Sequence, residues 1–506
     1  MALASFIRKA SLSAIDLLHS LSVEEFENIL ADTSVEVVFD VSCTNSTEGR
    51  VALDLLIDLL SRLYPRLVLT ARDVPKDCVD SLTHAALLIN PALEFGRQKE
   101  PNATVALGRH DDPQADKTVY IGSDAWIAKC STWNALTFGN SKVPFGPAAA
   151  ACIAAANVFR IVFASFLPGA MLDQDLALDL RTCGTNEEGS LLPEIADPTD
   201  IGTVRLVGVG AIGNAVVWAL SRTEATGCIH LIDPEAVDDS NPQRYVLTTS
   251  DCINVPKVQI AKKAFQGPGL AALEFQTDWA GYLAQRDDWY IPLVAVAVDS
   301  STARCEIQAS LPRYILNAWT QPGDLGVSRH EFLGDQACLC CLYLPRGEKP
   351  DLEDLVAEAI NFRGDIKELR SMLFYGRPLT KDWLDRIATD MDCDRLKLEP
   401  FLNRSLVDFY NKGICGGIIL TRQKIRVQVP MAFQSALAGV ILAAEIVKRA
   451  AFPDIKKAVT TKINLLRPVG KHLNEPETKN GTCICKDRDY VTRFKEKYCA
   501  SHELES

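Results

Sequence analysis

Short apolar runs alternate along the chain with longer segments in which apolar residues recur at helical spacing. Short runs of this kind are typical of buried strands, and the longer segments are typical of amphipathic helices. The pattern predicts helices over residues 11–30 and 50–64, and strands over residues 35–41, 66–70, 117–122, 204–207, 229–232 and 293–298. Strands that alternate with helices predict an α/β fold.

A glycine-rich turn follows the predicted strand 204–207. Gly208, Gly210 and Gly213 have the spacing Gly-x-Gly-x-x-Gly, which permits a tight turn into a helix whose free N–H groups face a phosphate. Asp233 ends the next predicted strand, where a carboxylate can accept hydrogen bonds from a ribose. These residues alone predict a Rossmann-type nucleotide site.

Charged residues after this turn distinguish the site from a nicotinamide site. Arg244 and Lys257 follow Asn241, and this positive charge suits a triphosphate that is attacked at its α-phosphorus. Asp299 comes directly after the predicted strand 293–298. Ligands of open α/β sheets bind at the carboxyl ends of strands, and a carboxylate there can hold Mg²⁺.

In this order the motifs resemble the adenylation domain of the MoeB/ThiF and ubiquitin-activating enzyme superfamily. The resemblance implies a Rossmann-like domain with a mixed sheet and catalytic roles for Arg244 and Asp299. It also implies that ATP and Mg²⁺ bind at Gly208, Gly210, Gly213, Asp233, Asn241, Arg244, Lys257 and Asp299. The chain departs from the family at Tyr245, where Gln is usual, and at Ser300, where Asn is frequent. Arg8 is a candidate for the arginine that an inactive half lends to the active site.

One sequence pattern occurs twice in the chain. Val-Pro pairs at 143–144 and 429–430 each precede a small-residue helix that leads to a polar residue, an apolar pair and a base. We interpret residues 31–181 and 201–475 as two copies of one architecture. The first copy lacks the glycines and is predicted to be inactive, an arrangement that resembles ubiquitin-activating enzymes. The alternative is that small-residue helices pack closely in any α/β fold.

The remaining segments complete the predicted domain plan. Residues 1–30 form an N-terminal helical segment, residues 182–200 a linker rich in Gly, Pro, Asn and acidic residues, and residues 476–506 a zinc-knuckle tail. Simpler members of the family pair two subunits, so a homodimer is a further expectation.

Two pairs of cysteines predict a zinc site. Cys338 and Cys341 form a C-x-x-C pair, and Cys483 and Cys485 form a C-x-C pair near the C-terminus. Four thiolates from two short knuckles suit a closed tetrahedral Zn²⁺ site. The second pair has one intervening residue where the family has two, and the alternative is that the first pair is ordinary buried core.

A separate cysteine is the predicted thioester nucleophile. Cys415 lies between glycines in Gly-Ile-Cys-Gly-Gly, within a predicted catalytic insertion at residues 347–428. An accessible thiolate on a flexible segment suits acyl transfer. Cys393 is the rival, but its neighbours Asp392 and Asp394 disfavour a thiolate.

Bulk properties exclude some classes of function. The 506 residues carry a net charge of −12, which argues against general binding to nucleic acid or to an anionic membrane. The N-terminus lacks the long apolar core of a signal peptide. Sixteen cysteines without that signal indicate a reducing compartment and predict a cytoplasmic protein.

The sequence therefore predicts an ATP-dependent activating enzyme for a ubiquitin-like modifier protein, which passes the modifier to a conjugating enzyme. Size and the compact cysteine region look like bacterial ubiquitin-like conjugation systems linked to phage defence. Two alternatives stay open: a sulfur-carrier adenylating enzyme without an obligatory thioester, and a nucleotide-binding or NAD-dependent protein without adenylation activity.

Overall fold

The structure is a computed structural model. It describes residues 23–97, 99–109, 117–167, 169–185, 198–267, 269–286, 289–321, 323–344, 352–391, 393–410, 431–452, 459–470 and 473–499. The chain divides into two compact units, residues 1–344 together with 430–506, and residues 345–429.

The first sheet of the larger unit contains β1 (Val35–Asp40), β2 (Arg66–Arg72), β3 (Glu94–Phe95), β4 (Ala103–Leu107), β5 (Thr118–Asp124), β6 (Ile127–Ser131), β7 (Asp175–Asp179) and β8 (Gly184–Thr185). The helices of this part are α1 (Val23–Asp32), α2 (Val41–Asn45), α3 (Thr47–Ser61), α4 (Lys76–Ile89) and α5 (Phe145–Val162). α3 begins three residues before the predicted helix, because Ser46 accepts a hydrogen bond from the N–H of Gly49 and caps it.

The second sheet contains β9 (Asp200–Val207), β10 (Thr226–Ile232), β11 (Leu270–Phe275), β12 (Leu293–Val296), β13 (Tyr314–Thr320), β14 (Asp324–Glu331), β15 (Thr460–Asn464) and β16 (Asn474–Glu475). Its first helices are α6 (Ala211–Leu220), α7 (Lys257–Lys263), α8 (Trp279–Ala284), α9 (Ser301–Ala309) and α10 (Leu339–Tyr343).

The smaller unit is helical and has an apolar core of its own. It contains α11 (Leu352–Ala359), α12 (Ile366–Phe374), α13 (Lys381–Asp390) and α14 (Leu406–Asp408). Side chains of Asp365, Thr380 and Ser405 cap the last three helices, as short polar residues do at helix starts. The chain then returns to the larger unit with α15 (Ala432–Ala451) and α16 (Arg488–Cys499).

The two sheets share one topology. In each, five parallel strands are followed by three antiparallel strands, in the orders β3-β2-β1-β4-β5-β6-β7-β8 and β11-β10-β9-β12-β13-β14-β15-β16. α5 connects β6 to β7, and α15 connects β14 to β15. These are the two small-residue helices that follow the repeated Val-Pro pairs. The predicted α/β fold, with a mixed sheet preceded by a related α/β domain, is confirmed. The domain limits and the inactivity of the first domain remain predictions, and β8 falls within the predicted linker.

One apolar core joins the two sheets. It includes side chains of both sheets together with α3, α5, α6 and α15. Of the described helices, α5 is long and apolar enough to cross a membrane by length and composition, but 89% of it is buried inside the protein. Its apolar composition is therefore that of a core helix packed between a sheet and other helices.

A buried polar cluster lies at the end of α5. Arg160 donates to Asn157 Oδ1 (2.8 Å) and to Asp173, and Asn157 Nδ2 donates to Asp173 Oδ2 (3.0 Å). Asp173 Oδ1 also accepts from the backbone N–H of Val469 (2.8 Å), which follows β15. Asn157 and Arg160 therefore hold Asp173, and Asp173 in turn binds the backbone of the second copy.

The end of α15 carries the matching cluster. Lys448 Nζ donates to the carbonyl oxygen of Leu180 (2.6 Å) and to Glu445, and Arg329 also pairs with Glu445 (2.5 Å). Leu180 follows β7 of the first copy. The two copies thus hold each other reciprocally, and breaking one such buried pair costs about 3–5 kcal/mol.

We expect Gly439→Ala to lower the Tm, because α15 crosses α6 closely at this residue. A Cβ here would lie 2.5 Å from the carbonyl oxygen of Ile212 and 2.9 Å from the backbone nitrogen of Val216. Alanine favours a helix by about 1 kcal/mol over glycine, but overpacking costs about 1–3 kcal/mol. Calorimetry would measure the difference. Gly481→Ala, whose Cβ would meet no atom within 4 Å, is the control, and an unchanged Tm for Gly439→Ala would contradict the close crossing.

Candidate functional site

Three adjacent parallel strands end at the same edge of the second sheet. β9 pairs with β10 on one side and with β12 on the other, and Gly208, Asp233 and Asp299 follow these strands. The strand order reverses here, and open α/β sheets bind ligands in the crevice at such a switch point. Residues predicted from three separate segments therefore lie at one edge.

The three glycines of the loop have different roles. Gly208 has φ +90° and lies against β12, since a Cβ would be 2.7 Å from the carbonyl oxygen of Ala297. A Cβ on Gly213 would be 2.0 Å from the carbonyl oxygen of Gly208. A Cβ on Gly210 would meet nothing closer than the Tyr245 hydroxyl at 3.5 Å. Gly208 and Gly213 thus serve the turn, and Gly210 leaves the N-terminus of α6 open to a phosphate.

Asp233 braces the glycine loop. Its Oδ2 accepts from the N–H of Val209 (2.7 Å), and its Oδ1 accepts from the N–H of Glu235 (2.9 Å). Burial raises the pKa of Asp233, while nearby Lys257 and the two N–H groups oppose the rise. The carboxylate is placed beside the loop, and its contact with a ribose stays a prediction.

Lys257 begins α7 and supplies a cation to this group. Its Nζ donates to Glu235 Oε2 (2.5 Å) and lies 5.4 Å from the ring centroid of Tyr245. Burial favours the neutral amine, but the carboxylates of Asp233 and Glu235 outweigh burial and raise the pKa of Lys257 above its usual value. Lys257 is therefore a permanent positive charge at neutral pH.

Tyr245 stands where the family has a glutamine. Its ring centroid lies 5.4 Å from the Arg244 guanidinium carbon and 5.4 Å from Lys257 Nζ. Burial raises the pKa of Tyr245, although the two cations oppose this. The neutral hydroxyl is a hydrogen-bond donor placed between the glycine loop and two cations.

A tight turn presents Arg244. The carbonyl of Asn241 accepts from the N–H groups of Arg244 (3.0 Å) and Tyr245 (3.1 Å), and Asn241 Oδ1 accepts from the N–H of Asp238 (3.3 Å). Arg244 Nη1 donates to the carbonyl oxygen of Ser240 (3.2 Å). Asn241 therefore shapes the turn, while Arg244 is only half-buried.

Asp299 is exposed on a backbone that is held firmly. Arg304 of α9 donates to the carbonyl oxygens of Asp299 (3.3 Å) and Val298, and its Nε donates to Asn317 Oδ1 (3.0 Å). Ser300, where the family has Asn, caps α9 with its hydroxyl. The turn is fixed and the carboxylate is accessible, which suits a ligand of a Mg²⁺ ion that also binds phosphate oxygens.

Hydrogen bonds continue from this turn to the cysteines. Asn317 Nδ2 donates to Ser328 Oγ (3.1 Å), which lies 2.8 Å from His330 Nε2. His330 Nδ1 lies 2.9 Å from the carbonyl oxygen of Ala337, the residue before the first cysteine pair. Burial lowers the pKa of His330 to about 4, so the neutral ring donates from Nδ1 to that carbonyl.

The four predicted zinc ligands come together. Cys338 Sγ lies 3.7 Å from that of Cys341 and 3.4 Å from that of Cys483, and the Sγ atoms of Cys341 and Cys485 are 3.5 Å apart. All four lie within 4.8 Å of one another. Zn–S bonds of about 2.3 Å in a tetrahedron place sulfurs about 3.8 Å apart. The cluster has the geometry of a four-thiolate metal site, despite the shortened C-x-C pair.

The predicted nucleophile and the lent arginine cannot be placed in the same way. Cys415 and Arg8 lie outside the described residues. Cys393, the rival nucleophile, is half-buried and packs against the core of the smaller unit.

Family comparisons agree with this geometry. The model of the ThiF family matches residues 201–480, which is more than half of the chain. The chain belongs to the ThiF family. A second model, Prokaryotic E2 family C, matches residues 38–164, so an N-terminal domain similar to that family precedes the ThiF domain.

Relatives cover the chain to different extents. The uncharacterized protein y4jF of Sinorhizobium fredii is 39% identical over 512 residues, which are 99% of this chain and 98% of y4jF. The crystal structure of E. coli MccB with ATP is 14% identical over 56% of this chain and 65% of MccB, with a TM-score of 0.34. PaaA is 20% identical over 26% of this chain and 42% of its own, with a TM-score of 0.22. The chain spans just under two thirds of MccB, and these two similarities carry no argument about its activity.

Membership of the ThiF family establishes the general chemistry. The chain is a ThiF-type adenylating enzyme. This agrees with the cations Arg244 and Lys257 beside the glycine loop.

Several residues of the site were not predicted from the sequence. Glu235 pairs with Lys257, and Asn214 Oδ1 accepts from the N–H of Leu247 (2.7 Å). Asn214 is the one polar residue that follows the glycine motif inside an otherwise apolar helix, which is a usable signal. Arg304 gives none, since an arginine on a helix of mixed polarity is typical of a solvated face.

We expect the purified protein to contain about one zinc ion per chain, because one four-thiolate site binds one ion. Cys338→Ser and Cys483→Ser should each lose most of it, as measured by elemental analysis. Cys340→Ser, adjacent to the ligands but outside the group of four, should keep it. A metal-free wild type, or full zinc content in the two ligand variants, would show that the cluster is ordinary thiol packing.

Proposed function

We propose that this ThiF-family enzyme activates a ubiquitin-like modifier protein by adenylating its C-terminus and then carrying it as a thioester. The observation that carries the proposal is the meeting of the glycine loop, two buried or half-buried cations and an accessible carboxylate at one switch point. The neighbouring domain similar to Prokaryotic E2 family C supports a conjugation pathway over other adenylation pathways.

The first step needs positioning and positive charge. The carboxylate oxygen of the modifier's C-terminus attacks the α-phosphorus of ATP. An oxygen–phosphorus bond forms, the bond to the bridging oxygen breaks, and pyrophosphate leaves with that electron pair. Arg244 and Lys257 stabilise the charge that gathers on the phosphates, and the N–H groups at the start of α6 hold phosphate oxygens.

Asp299 is the proposed ligand of Mg²⁺, together with the phosphates of ATP. An accessible carboxylate at a strand end fits this ion, which is commonly held by one or two carboxylates and phosphate oxygens. The ion would supply further neutralisation of the triphosphate. Arg304 maintains the backbone from which the carboxylate projects.

In the second step the Cys415 thiolate attacks the carbonyl carbon of the acyl-adenylate. A carbon–sulfur bond forms, AMP leaves, and the modifier is held as a thioester that a conjugating enzyme can accept. Three buried cysteines of the N-terminal domain are poor substitutes. Burial strongly raises the pKa values of Cys43, Cys130 and Cys152, so these thiols do not form the thiolate nucleophile.

The N-terminal domain is proposed to be catalytically inactive. Its first strand leads into α2, and the carbonyl oxygen of Cys43 is 2.3 Å from the Cβ position of Gly49. Gly213 has the same relation to Gly208, so the helix approach is retained without the glycines that open the loop. Glu48 points into its own domain, where it accepts from the N–H groups of Ala125 (3.0 Å) and Ser141 (3.1 Å).

The cellular setting is part of the same proposal. Thiolate chemistry on Cys415 and a four-thiolate metal site both need reduced cysteines, which favours the cytoplasm. The narrower role in bacterial defence against phage rests on the sequence resemblance alone.

We expect Asp299→Ala to lower ATP–pyrophosphate exchange at least about 100-fold. The metal ion would lose its carboxylate ligand, and the transition state would lose several kcal/mol of charge stabilisation that the ion supplies. Exchange of labelled pyrophosphate with a cognate modifier would measure it. Asp335→Ala removes an exposed carboxylate elsewhere on the chain and should leave exchange unchanged. Wild-type exchange in Asp299→Ala would remove Asp299 from the site.

We expect Cys415→Ala to keep pyrophosphate exchange and to lose the thiol-sensitive adduct with the modifier, because adenylation does not need the thiol. A non-reducing gel, with and without reductant, would show the adduct. Cys393→Ala is the control and should keep it. Loss of the adduct in Cys393→Ala alone would move the nucleophile, and an active wild type without any adduct would favour a sulfur-carrier adenylating enzyme.

A further inference from the structure

Arg62 of the N-terminal domain is buried although it bears a charge. It follows α3, and its side chain is 1% exposed. Nε donates to Asp58 Oδ1 (2.7 Å), and Nη2 donates to Asp58 Oδ2 (2.9 Å). A bidentate pair of this kind fixes the plane of the guanidinium group.

The remaining donors of Arg62 point at the second copy. Nη1 donates to the carbonyl oxygen of Pro242, and Nη2 also donates to that of Thr248 (3.1 Å). Both bonds are buried. They join residues that are far apart in the chain, so this contact belongs to the tertiary structure and not to a local turn.

Pro242 and Thr248 bracket the segment that carries the phosphate-facing side chains. Arg244 and Tyr245 lie between them, in the turn that Asn241 shapes. The same segment is also held by Asn214 of α6, whose Oδ1 accepts from the N–H of Leu247. The segment is therefore fixed both by the helix of the glycine loop and by the N-terminal domain.

We propose that Arg62 is a positioning residue of the N-terminal domain that sets the place of Arg244 and Tyr245 relative to the triphosphate of ATP. This inference rests on the proposed nucleotide site. Arg62 acts through the carbonyl oxygens of Pro242 and Thr248, and it needs no contact with ATP. It gives the inactive domain a role in adenylation.

Arginine is needed here because of its geometry. The guanidinium group offers five donors in a rigid plane, and four of them are used on Asp58, Pro242 and Thr248. A lysine keeps the charge but offers three donors from one atom. It cannot reach both carbonyl oxygens and both carboxylate oxygens. The segment 242–248 would therefore lose at least one of its hydrogen bonds, while Asp58 kept an ion-pair partner.

The test compares Arg62→Lys with the wild type in the binding of ATP and of adenosine, both with Mg²⁺, by titration calorimetry or competition. Misplacement of active-site groups lowers a reaction rate by up to about 100-fold, and this sets the scale for the loss of phosphate binding. We therefore expect ATP to bind about 10- to 100-fold more weakly to Arg62→Lys, while the affinity for adenosine stays within about twofold. Hydrogen exchange should be faster in the peptide that contains residues 241–248.

Arg160→Lys is the matched control. Arg160 is 0% exposed, lies in the same domain, and pairs with Asp173 without touching the segment 242–248. It should lower the Tm as much as Arg62→Lys does and leave the ratio of ATP to adenosine affinity unchanged.

The outcomes separate this inference from the proposed function. A wild type that binds no ATP contradicts the proposed function and the inference together. A wild type that binds ATP, with an unchanged ratio in Arg62→Lys, overturns the inference alone. Equal loss of ATP and adenosine affinity in both lysine variants would show that Arg62 only stabilises the fold, and this also overturns it.

Discussion

Helix α15 lies directly against α6, and Gly439 allows the backbones to approach so closely that even a methyl group would collide with Ile212 and Val216. α6 starts at the glycine loop, so the position of its N-terminus depends on this crossing. The same core extends through α5 and α3 to the first sheet. The nucleotide loop is thus supported by packing to which both copies contribute, because α15 packs on α6 and on α5, and α5 packs on the first sheet.

The two copies share one architecture, but the glycine loop occurs in the second copy. Both retain five parallel and three antiparallel strands and the long helix before the penultimate strand. The polar clusters near the ends of α5 and α15 form hydrogen bonds between the two copies: Asp173 accepts from the N–H of Val469, and Lys448 donates to the carbonyl oxygen of Leu180. Buried charged groups cost free energy when unpaired, so these hydrogen bonds specify one arrangement of the two copies. The N-terminal copy therefore contributes to the structure of the second copy.

The sequence predicted those parts of the site that depend on local spacing. Gly208, Asp233 and Asp299 each follow an apolar strand, and parallel strands bring their carboxyl ends to one edge. The cysteine pairs were found in the same way, since short knuckles have characteristic spacing. Strand and helix bounds were less accurate, as where β12 ends at Val296 because the chain turns against Gly208 at Ala297.

Arg62 and Arg304 could not be found by such spacing. Asp58 and Arg62, four residues apart on a helix, form a pattern that is typical of a solvated ion pair, and burial against Pro242 is decided by the tertiary structure. Arg304 similarly acts on backbone carbonyls, which every residue has and which leave no mark in the sequence. Positioning residues differ in this respect from ligands: a ligand needs a particular side chain at a particular spacing, whereas a positioning residue needs only the right place in the fold. The role of Arg304 is therefore visible only after the second copy has folded, and that of Arg62 only after the two copies are packed together.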